Sequence, residues 1–255
     1  MGASLDKVTI RGFKSIRKLE DLELKNLNVL IGGNGAGKSN FIDFFRLLRA
    51  MMELSLPGLR KSNLQSFITD GGGIDDLLFN GPKESDEISA ELRFGVNGYK
   101  FSLAPAAGGE NVVINEEKRY YERSGWWEMG SGQTRPRLLQ EKDERGASGS
   151  QHGVAYHVFR AIDSWRIYHF HDTSKTASMR RYEIVQDNRT FRFDGANIAP
   201  FLLRLRDNYP DEYGEILDAV RLVMPFFDDF LLDVREFGEK EKVSLSWRQK
   251  GSDYP

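Results

Sequence analysis

The stretch Gly32–Ser39, with the sequence GGNGAGKS, fits the pattern GxxxxGK[S/T] of a phosphate-binding P-loop. The four residues before it, Asn28–Ile31, form a short apolar run that predicts a buried strand. The ten residues after it, Asn40–Arg49, carry apolar side chains at a helical spacing. A strand, a glycine-rich loop and a helix in this order form the context in which the pattern binds a nucleotide.

Each residue type in the loop has a chemical reason. Glycines adopt positive φ angles and let the backbone approach a phosphate chain closely. The N–H groups of the loop and of the following helix start then point at the anion, which the helix dipole also favours. Lys38 is predicted as the catalytic residue that reaches the β- and γ-phosphates of ATP, and the Ser39 hydroxyl as the ligand of Mg²⁺. The predicted nucleotide-binding residues are Gly32, Gly33, Asn34, Gly35, Ala36, Gly37, Lys38, Ser39 and Asn40.

Composition limits the class of protein. The chain has 255 residues, a formal net charge of −2 and a pI near 6.2, so its global charge predicts no nucleic-acid partner. Residues 1–50 hold nine Lys/Arg against five acidic residues, an excess that an ordinary solvated surface also explains.

There are no cysteines, which excludes disulfides and thiolate metal sites. No apolar run approaches the roughly 18 residues of a membrane span, and the N-terminus lacks the apolar core of a secretory signal. A cytoplasmic protein with no membrane partner is therefore expected.

Two short strands are predicted ahead of the loop, over 7–16 and 22–24, so a small antiparallel sheet opens the chain. Residues 10–16 (IRGFKSI) and 27–41 (LNVLIGGNGAGKSNF) resemble the start of the RecF/SMC-like ATPases of the ABC superfamily. In that group an I-x-x-F-K/R-S strand precedes an N-G-A/S-G-K-S-N loop. Asn34 and Asn40 distinguish this pattern from generic P-loops.

The resemblance implies an α/β fold, in which a P-loop core sheet carries an antiparallel β subdomain and a helical segment. It implies a head that binds ATP and Mg²⁺ and forms a homodimer, since a second subunit completes the nucleotide site. It also implies ATP hydrolysis in DNA repair or in antiphage defence, with DNA and a repair or defence protein as partners.

We expect one P-loop ATPase head over residues 1–255, with the loop strands and helix in 1–54. An antiparallel β subdomain is predicted over 86–129, a flexible loop over 130–151, and a helical and β remainder over 152–255. The further predicted elements are a hairpin over 88–103 with its turn at Asn97-Gly98, a strand over 165–170, a hairpin over 182–193, and helices over 196–207 and 211–224.

The acidic half of an ATPase site is harder to find. Such a site needs an apolar strand ending in Asp, followed by Glu, to organise Mg²⁺ and polarise the attacking water. Asp172 and Asp233 each follow an apolar run, but neither is followed by glutamate. The chain therefore resembles the front portion of a longer head, which we expect to be incomplete.

Three further features have competing interpretations. Gln65 is the glutamine available for a Mg²⁺-contacting loop, with an ordinary surface residue as the alternative. Residues 147–151 (ASGSQ) partly match the ABC signature LSGGQ, with a plain loop as the alternative. His169 and His171 share one face of a predicted strand and could bind a metal, but without an evident third ligand a core or solvated role is the alternative.

Three functions compete on this sequence. The first is the ATP-hydrolysing RecF/SMC-like head. The second is a nucleotide-binding, non-hydrolysing regulatory or assembly module that lacks its acidic half-site. The third is a P-loop kinase for a small molecule, which the strands ahead of the loop and the antiparallel region after it disfavour.

Overall fold

The computed structural model describes residues 4–53, 63–107, 111–146, 150–168, 174 and 176–251. Within them the chain divides into two units with separate hydrophobic cores, Met1–Trp165 and Arg166–Pro255.

The first unit is built on a six-stranded sheet in which every neighbouring pair is antiparallel. Its spatial order is β2-β1-β3-β4-β5-β6. Three consecutive hairpins connect β3 to β6. The connection from β1 to its other neighbour, β3, is longer and contains β2 and the first three helices of the chain. The strands are β1 Lys7–Phe13, β2 Ile16–Glu23, β3 Ile88–Phe94, β4 Asn97–Pro105, β5 Val112–Tyr121 and β6 Gly125–Gly130.

Helices cover one face of this sheet. The longest, α1 (Lys38–Met52), buries Phe44, Leu47, Leu48 and Met51, which recur at the three- and four-residue spacing of one helix face. These side chains join Val8, Ile10 and the alternate residues of β3 in a continuous apolar core. The other helices of the unit are α2 Asn63–Asp70, α3 Ile74–Leu77, α4 Leu138–Glu141 and α5 Val154–Ser164.

The hairpin predicted over 88–103 is present, but its turn was misplaced. Phe94 pairs with Asn97, so the two-residue turn is Gly95-Val96, and Asn97-Gly98 begin β4. Gly95 has a φ of 57°, as the first central position of a type II′ turn requires. Both Asn-Gly and Gly-Val satisfy a tight turn locally, and the register of the buried alternate residues decides between them.

The strand predicted over Asn28–Ile31 is not formed. No regular element covers these residues, and Leu27, Val29 and Ile31 are 81%, 74% and 89% exposed. Within the described ranges, no strand pairs with this segment. An apolar run becomes a buried strand only when neighbouring strands supply its hydrogen bonds, which explains the difference.

The second unit has its own elements around a smaller core. A three-stranded sheet runs β7-β10-β9, and β8 pairs separately with β11. Two helices, confirming the predictions over 196–207 and 211–224, pack Leu202 and Tyr213 into this core with Val243. The elements are β7 Glu183–Ile184, α6 Ile198–Asn208, α7 Pro210–Val223, β8 Phe227–Leu231, β9 Val234–Phe237, β10 Lys240–Val243 and β11 Ser246–Gln249, with a 3₁₀ turn at Ser178–Arg180.

The hairpin predicted over 182–193 was wrong, and a buried asparagine explains why. Asn197 is fully buried, donates to the Asp187 and Thr190 carbonyls, and accepts from the Arg192 N–H. These bonds hold residues 187–192 as a loop around the start of α6. The strand before them, β7, pairs instead with β10.

The predicted α/β class is confirmed as a mixed α/β fold with an antiparallel six-stranded sheet and helices. Residues 165–168 of the strand predicted over 165–170 are irregular, and the last two lie outside the described residues. Across the described part of the chain, no helix is both long and apolar enough to cross a lipid bilayer.

Candidate nucleotide-binding site

The predicted P-loop residues lie together at the start of α1. Asn34 and Gly35 form a turn, Ala36 and Gly37 follow it, and Lys38, Ser39 and Asn40 are the first three residues of the helix. Gly35 and Gly37 have φ angles of 81° and 86°, which residues with a side chain rarely adopt. The loop is exposed from Gly32 through Ala36, so an approaching ligand meets its backbone directly.

The start of α1 is electrostatically open to an anion. Its N-cap is Gly37, which has no side chain to bond the first N–H groups, and the first turn contains no acidic residue. The first N–H groups of any helix lack intrahelical acceptors, and the helix dipole adds partial positive charge there. A phosphate group is the ligand class that satisfies both features.

The ammonium group of Lys38 lies against the loop. Its Nζ donates to the carbonyl oxygens of Gly32 and Gly33 at 2.8 and 2.7 Å. The oxygens of a polyphosphate are charged acceptors and form stronger bonds to the same donors than neutral carbonyls do. Lys38 is therefore held within reach of the loop by contacts that a bound phosphate chain can replace.

The hydroxyl of Ser39 is the predicted metal ligand, and its side chain is exposed on the first turn of α1. A hydroxyl oxygen beside a phosphate-binding loop suits Mg²⁺, which keeps several waters and takes few protein ligands. Among the described residues no group of three His, Asp or Glu side chains could hold a metal ion on its own. A single hydroxyl ligand fits a metal that arrives with the nucleotide, because the phosphates and waters supply its other ligands.

A turn from another part of the chain docks on the start of α1. Lys14 and Ser15 connect β1 to β2, and Lys14 adopts a positive φ of 49° in this two-residue turn. Asn40 Nδ2 donates to Ser15 Oγ at 2.7 Å, and Lys14 Nζ lies 2.6 Å from an Asp43 carboxylate oxygen. The two motifs that carried the family resemblance are therefore in direct contact, although 25 residues separate Ser15 from Asn40.

Close packing explains two residue types at this junction. A Cβ atom on Gly37 would lie 3.0 Å from Ser15 Oγ, so glycine lets the turn approach the loop. Below the turn, the buried ring of Phe13 packs edge-to-face on Phe44 of α1 with their centroids 5.7 Å apart. This aromatic pair fixes the β1–β2 turn over the helix start.

The other candidate residues lie elsewhere or outside the described residues. Gln65 is buried and exchanges two hydrogen bonds with the backbone of Val112, so its amide supports the β5 strand. Asp233 lies between β8 and β9 in the second unit. Asp172, His169, His171 and residues 147–149 of the signature-like segment lie outside the described residues.

Sequence reasoning found the loop but missed part of its surroundings. Neither Asp43 nor the contact between Ser15 and Asn40 was predicted, because both depend on how β1 packs on α1. The available signal was Asn40 itself, since an asparagine at the third helical position needs a partner for its amide.

Comparisons with known proteins identify the family of this chain. The family described as "AAA domain, putative AbiEii toxin, Type IV TA system" matches residues 27–249, which is most of the chain. The Chromosome partition protein Smc of Desulfitobacterium hafniense (strain Y51) is 39% identical over 71 residues, which are 28% of this chain and 6% of that protein. The chain thus spans a small part of that relative's length. The predicted likeness to SMC/RecF-like ATPases is confirmed, and the chain belongs to this family of nucleotide-binding AAA domains.

Proposed function

We propose that the chain binds ATP with Mg²⁺ at Gly32–Asn40. The observation that carries the proposal is the position of Lys38, whose ammonium is held on two loop carbonyls beside an uncapped helix start. In the bound state Lys38 contacts the β- and γ-phosphates, loop and helix N–H groups surround the phosphate chain, and Ser39 contributes its hydroxyl to Mg²⁺. Membership of the AAA-domain family supports nucleotide binding.

Replacing Lys38 with alanine is expected to weaken ATP binding about thirtyfold, since a hydrogen-bonded charge–phosphate contact contributes about 2 kcal/mol. Isothermal titration calorimetry with ATP and Mg²⁺ measures this loss. Lys25→Ala is the matched control, because Lys25 is an exposed lysine outside the P-loop stretch whose described ion pair is with Glu23. Equal affinities for wild type and Lys38→Ala would refute the proposed site.

We further propose that this site belongs to an ATP-hydrolysing head of the RecF/SMC type, with a core sheet of the ABC kind. The docking of the Lys14–Ser15 turn on the P-loop helix supports that type, since the same two motifs carry the resemblance. A homodimer closed over the nucleotide, and one head over 1–255, remain predictions.

The role we propose is in DNA repair or defence. The Smc relative is a chromosome partition protein, which favours DNA, and the matching family is that of a putative AbiEii toxin of a type IV toxin–antitoxin system, which favours defence. On this proposal, double-stranded DNA raises the rate of phosphate release from ATP. This stimulation by DNA is expected to fall about tenfold or more as salt rises from 50 to 200 mM. A rate of phosphate release that is the same with and without DNA at low salt would contradict the DNA role.

A specific observation keeps a second function open. No Asp-Glu pair follows an apolar strand in this sequence, and neither Asp172 nor Asp233 is followed by glutamate. A module that binds ATP without hydrolysing it would regulate or assemble a larger complex. The discriminating result is Lys38-dependent ATP binding without phosphate release.

A further inference from the structure

One face of the small sheet in the second unit gathers cations and aromatic rings. In the β9–β10 hairpin, Phe237 pairs with Lys240 and Arg235 pairs with Lys242. Residues directly opposite each other on antiparallel strands share one face of the sheet, and side chains alternate between the faces along each strand. Arg235, Phe237, Lys240 and Lys242 therefore lie on one face, which we call the basic face. Val243 lies on the opposite face and is fully buried in the core of the unit.

The pleat of this hairpin separates its charges. Glu236 and Glu241 pair with each other on the face opposite the three cations, and Glu239 lies in the turn between the strands. Within the described part of the chain, no ion pair joins the three cations to a carboxylate, and the ion pairs of the second unit involve other cations. Like charges directly opposite each other, as Arg235 and Lys242 are, destabilise a sheet. A bound anion would relieve that repulsion.

Two aromatic rings lie among these cations. Phe237 is 47% exposed, and its ring centroid lies 5.2 Å from that of Tyr182, the residue just ahead of β7. The Arg235 guanidinium lies 5.6 Å from the centroid of the Tyr182 ring, and the Lys242 ammonium lies 5.4 Å from that of Phe237. Cation–π contacts of this kind hold flexible basic side chains beside the rings. Positive charge and exposed ring surface therefore occupy one patch.

Single-stranded nucleic acid is the ligand that uses both features. Each of its bases has a face that stacks on an aromatic ring, and each of its phosphates is an anion. In a duplex the base faces are covered by neighbouring bases, so a duplex contacts this surface with its phosphates alone. Sheets with exposed aromatic side chains that stack two or three bases are a recurring solution for single strands. An acidic peptide, by contrast, needs the cations but not the rings.

We propose that the basic face binds single-stranded nucleic acid, with bases stacked on Phe237 and Tyr182 and phosphates bound by Arg235, Lys240 and Lys242. The DNA role proposed above specifies neither the type of strand nor the surface, both of which the basic face defines. Strand binding does not depend on the ATP site, because no residue of the basic face belongs to the P-loop. The net charge of −2 predicted no nucleic-acid partner, but it averages over the whole chain, whereas binding depends on the charge of one face.

Fluorescence anisotropy of the full chain tests the rings. The probe is a labelled oligothymidylate of about 16 nucleotides, the upper end of the site sizes of single-strand-binding folds. Phe237→Leu is expected to weaken binding about tenfold, the contribution of one stacked base, whereas Phe237→Trp keeps a ring and stays within about threefold of wild type. Wild type should bind an abasic strand of the same length at least about tenfold more weakly. Wild-type affinity in Phe237→Leu, or equal affinity for the abasic strand, would overturn the proposal.

The double variant Arg235→Gln/Lys242→Gln tests the cations by removing two phosphate contacts. The logarithm of the binding constant falls with the logarithm of the salt concentration by about 0.7 per contact on a single strand, so this slope should become shallower by about 1.4. Lys83→Gln/Arg123→Gln removes the same charges from exposed positions of the first unit and is expected to keep the wild-type slope. Equal slopes in the two double variants would mean that net charge alone explains binding, and would contradict the basic face.

Competitors separate a single strand from other partners. A blunt duplex of the same length that competes as well as oligothymidylate would overturn the proposal, and so would oligoglutamate, which would assign the face to an acidic protein. Oligouridylate distinguishes RNA from DNA, and a preference for either strand supports the proposal. Lys38→Ala should bind oligothymidylate as wild type does. A wild type that binds ATP but no oligonucleotide would therefore refute the basic face alone, whereas one that binds oligonucleotide but no ATP would refute only the proposed ATP site.

Discussion

Replacing Gly12 with alanine is expected to lower the free energy of unfolding by about 4 kcal/mol, from strain and overpacking together. Gly12 is buried in β1 with a φ of 72°, a conformation that alanine adopts only with strain. A Cβ atom there would also overlap the backbone carbonyl oxygen of Glu87, beside the start of β3. Neither backbone can retreat without breaking the pairing of β1 with β3, so the energy cannot be relieved locally.

Gly125→Ala separates the two causes of this loss. Gly125 has a similar φ of 80°, but apart from its two chain neighbours no residue has an atom within 4 Å of the position its Cβ would take. Its substitution is expected to lose about 1 kcal/mol, the strain alone. Urea denaturation of both variants measures the difference. Similar losses for Gly12→Ala and Gly125→Ala would show that the overlap with Glu87 is relieved, contrary to the expectation.

The P-loop could be predicted from sequence because its information is local. Two glycines with left-handed backbone, Gly35 and Gly37, lie within five residues that end in Lys38 and Ser39, and the helix has its own apolar periodicity. The antiparallel region was predictable for the same reason, since alternate residues of Ile88–Phe94 are buried as the pattern indicated. In both regions, neighbours in sequence determine the conformation.

The errors occur where distant partners decide. Asn28–Ile31 has the composition of a strand but no strand beside it among the described residues, so its backbone stays irregular and its side chains stay exposed. Residues 182–193 have strand-like composition too. However, Asn197 hydrogen-bonds to backbone groups of this segment, and the strand that does form, β7, pairs with β10. Composition reports what a segment can form, whereas the available hydrogen-bond partners determine what it forms.

Glu117 was also beyond prediction, because it sits in a polar run. The sequence Glu116-Glu117-Lys118 suggests three solvated charges, and Glu116 does form ion pairs with Lys100 and Lys118 near the surface. The neighbouring Glu117 is fully buried instead. Which of two adjacent glutamates enters the core depends on the register between β5 and its neighbours, and that register shifts beside this residue.

The Glu117 carboxylate organises a buried network. It accepts hydrogen bonds from the Tyr99 hydroxyl and the Gln133 amide, both at 2.8 Å, and from the backbone N–H groups of Arg137 and Leu138. Burial of the Tyr99 phenol, with the Glu117 carboxylate beside it, raises the pKa of that phenol well above its usual value, so the hydroxyl remains a donor. One acidic side chain thus joins β4, β5 and the start of α4.

Replacing Glu117 with alanine is expected to destabilise the protein by about 4 kcal/mol, because buried donors lose their acceptor and a cavity forms. Glu117→Gln keeps the volume and one acceptor oxygen, so about half of that loss is expected. Guanidinium denaturation measures both variants. Glu122→Ala, at an exposed glutamate in the turn after β5, should change stability by less than about 0.5 kcal/mol.

The comparison between the two Glu117 variants decides what the carboxylate does. If the network contributes through its acceptors, Glu117→Ala loses more stability than Glu117→Gln. The near-ultraviolet circular dichroism, to which Tyr99 contributes, then changes in both variants. If the two substitutions destabilise equally, cavity formation contributes little and loss of the negative charge explains the whole effect. A loss below about 1 kcal/mol in Glu117→Ala would mean that water enters and satisfies the four donors, and would contradict a dry network.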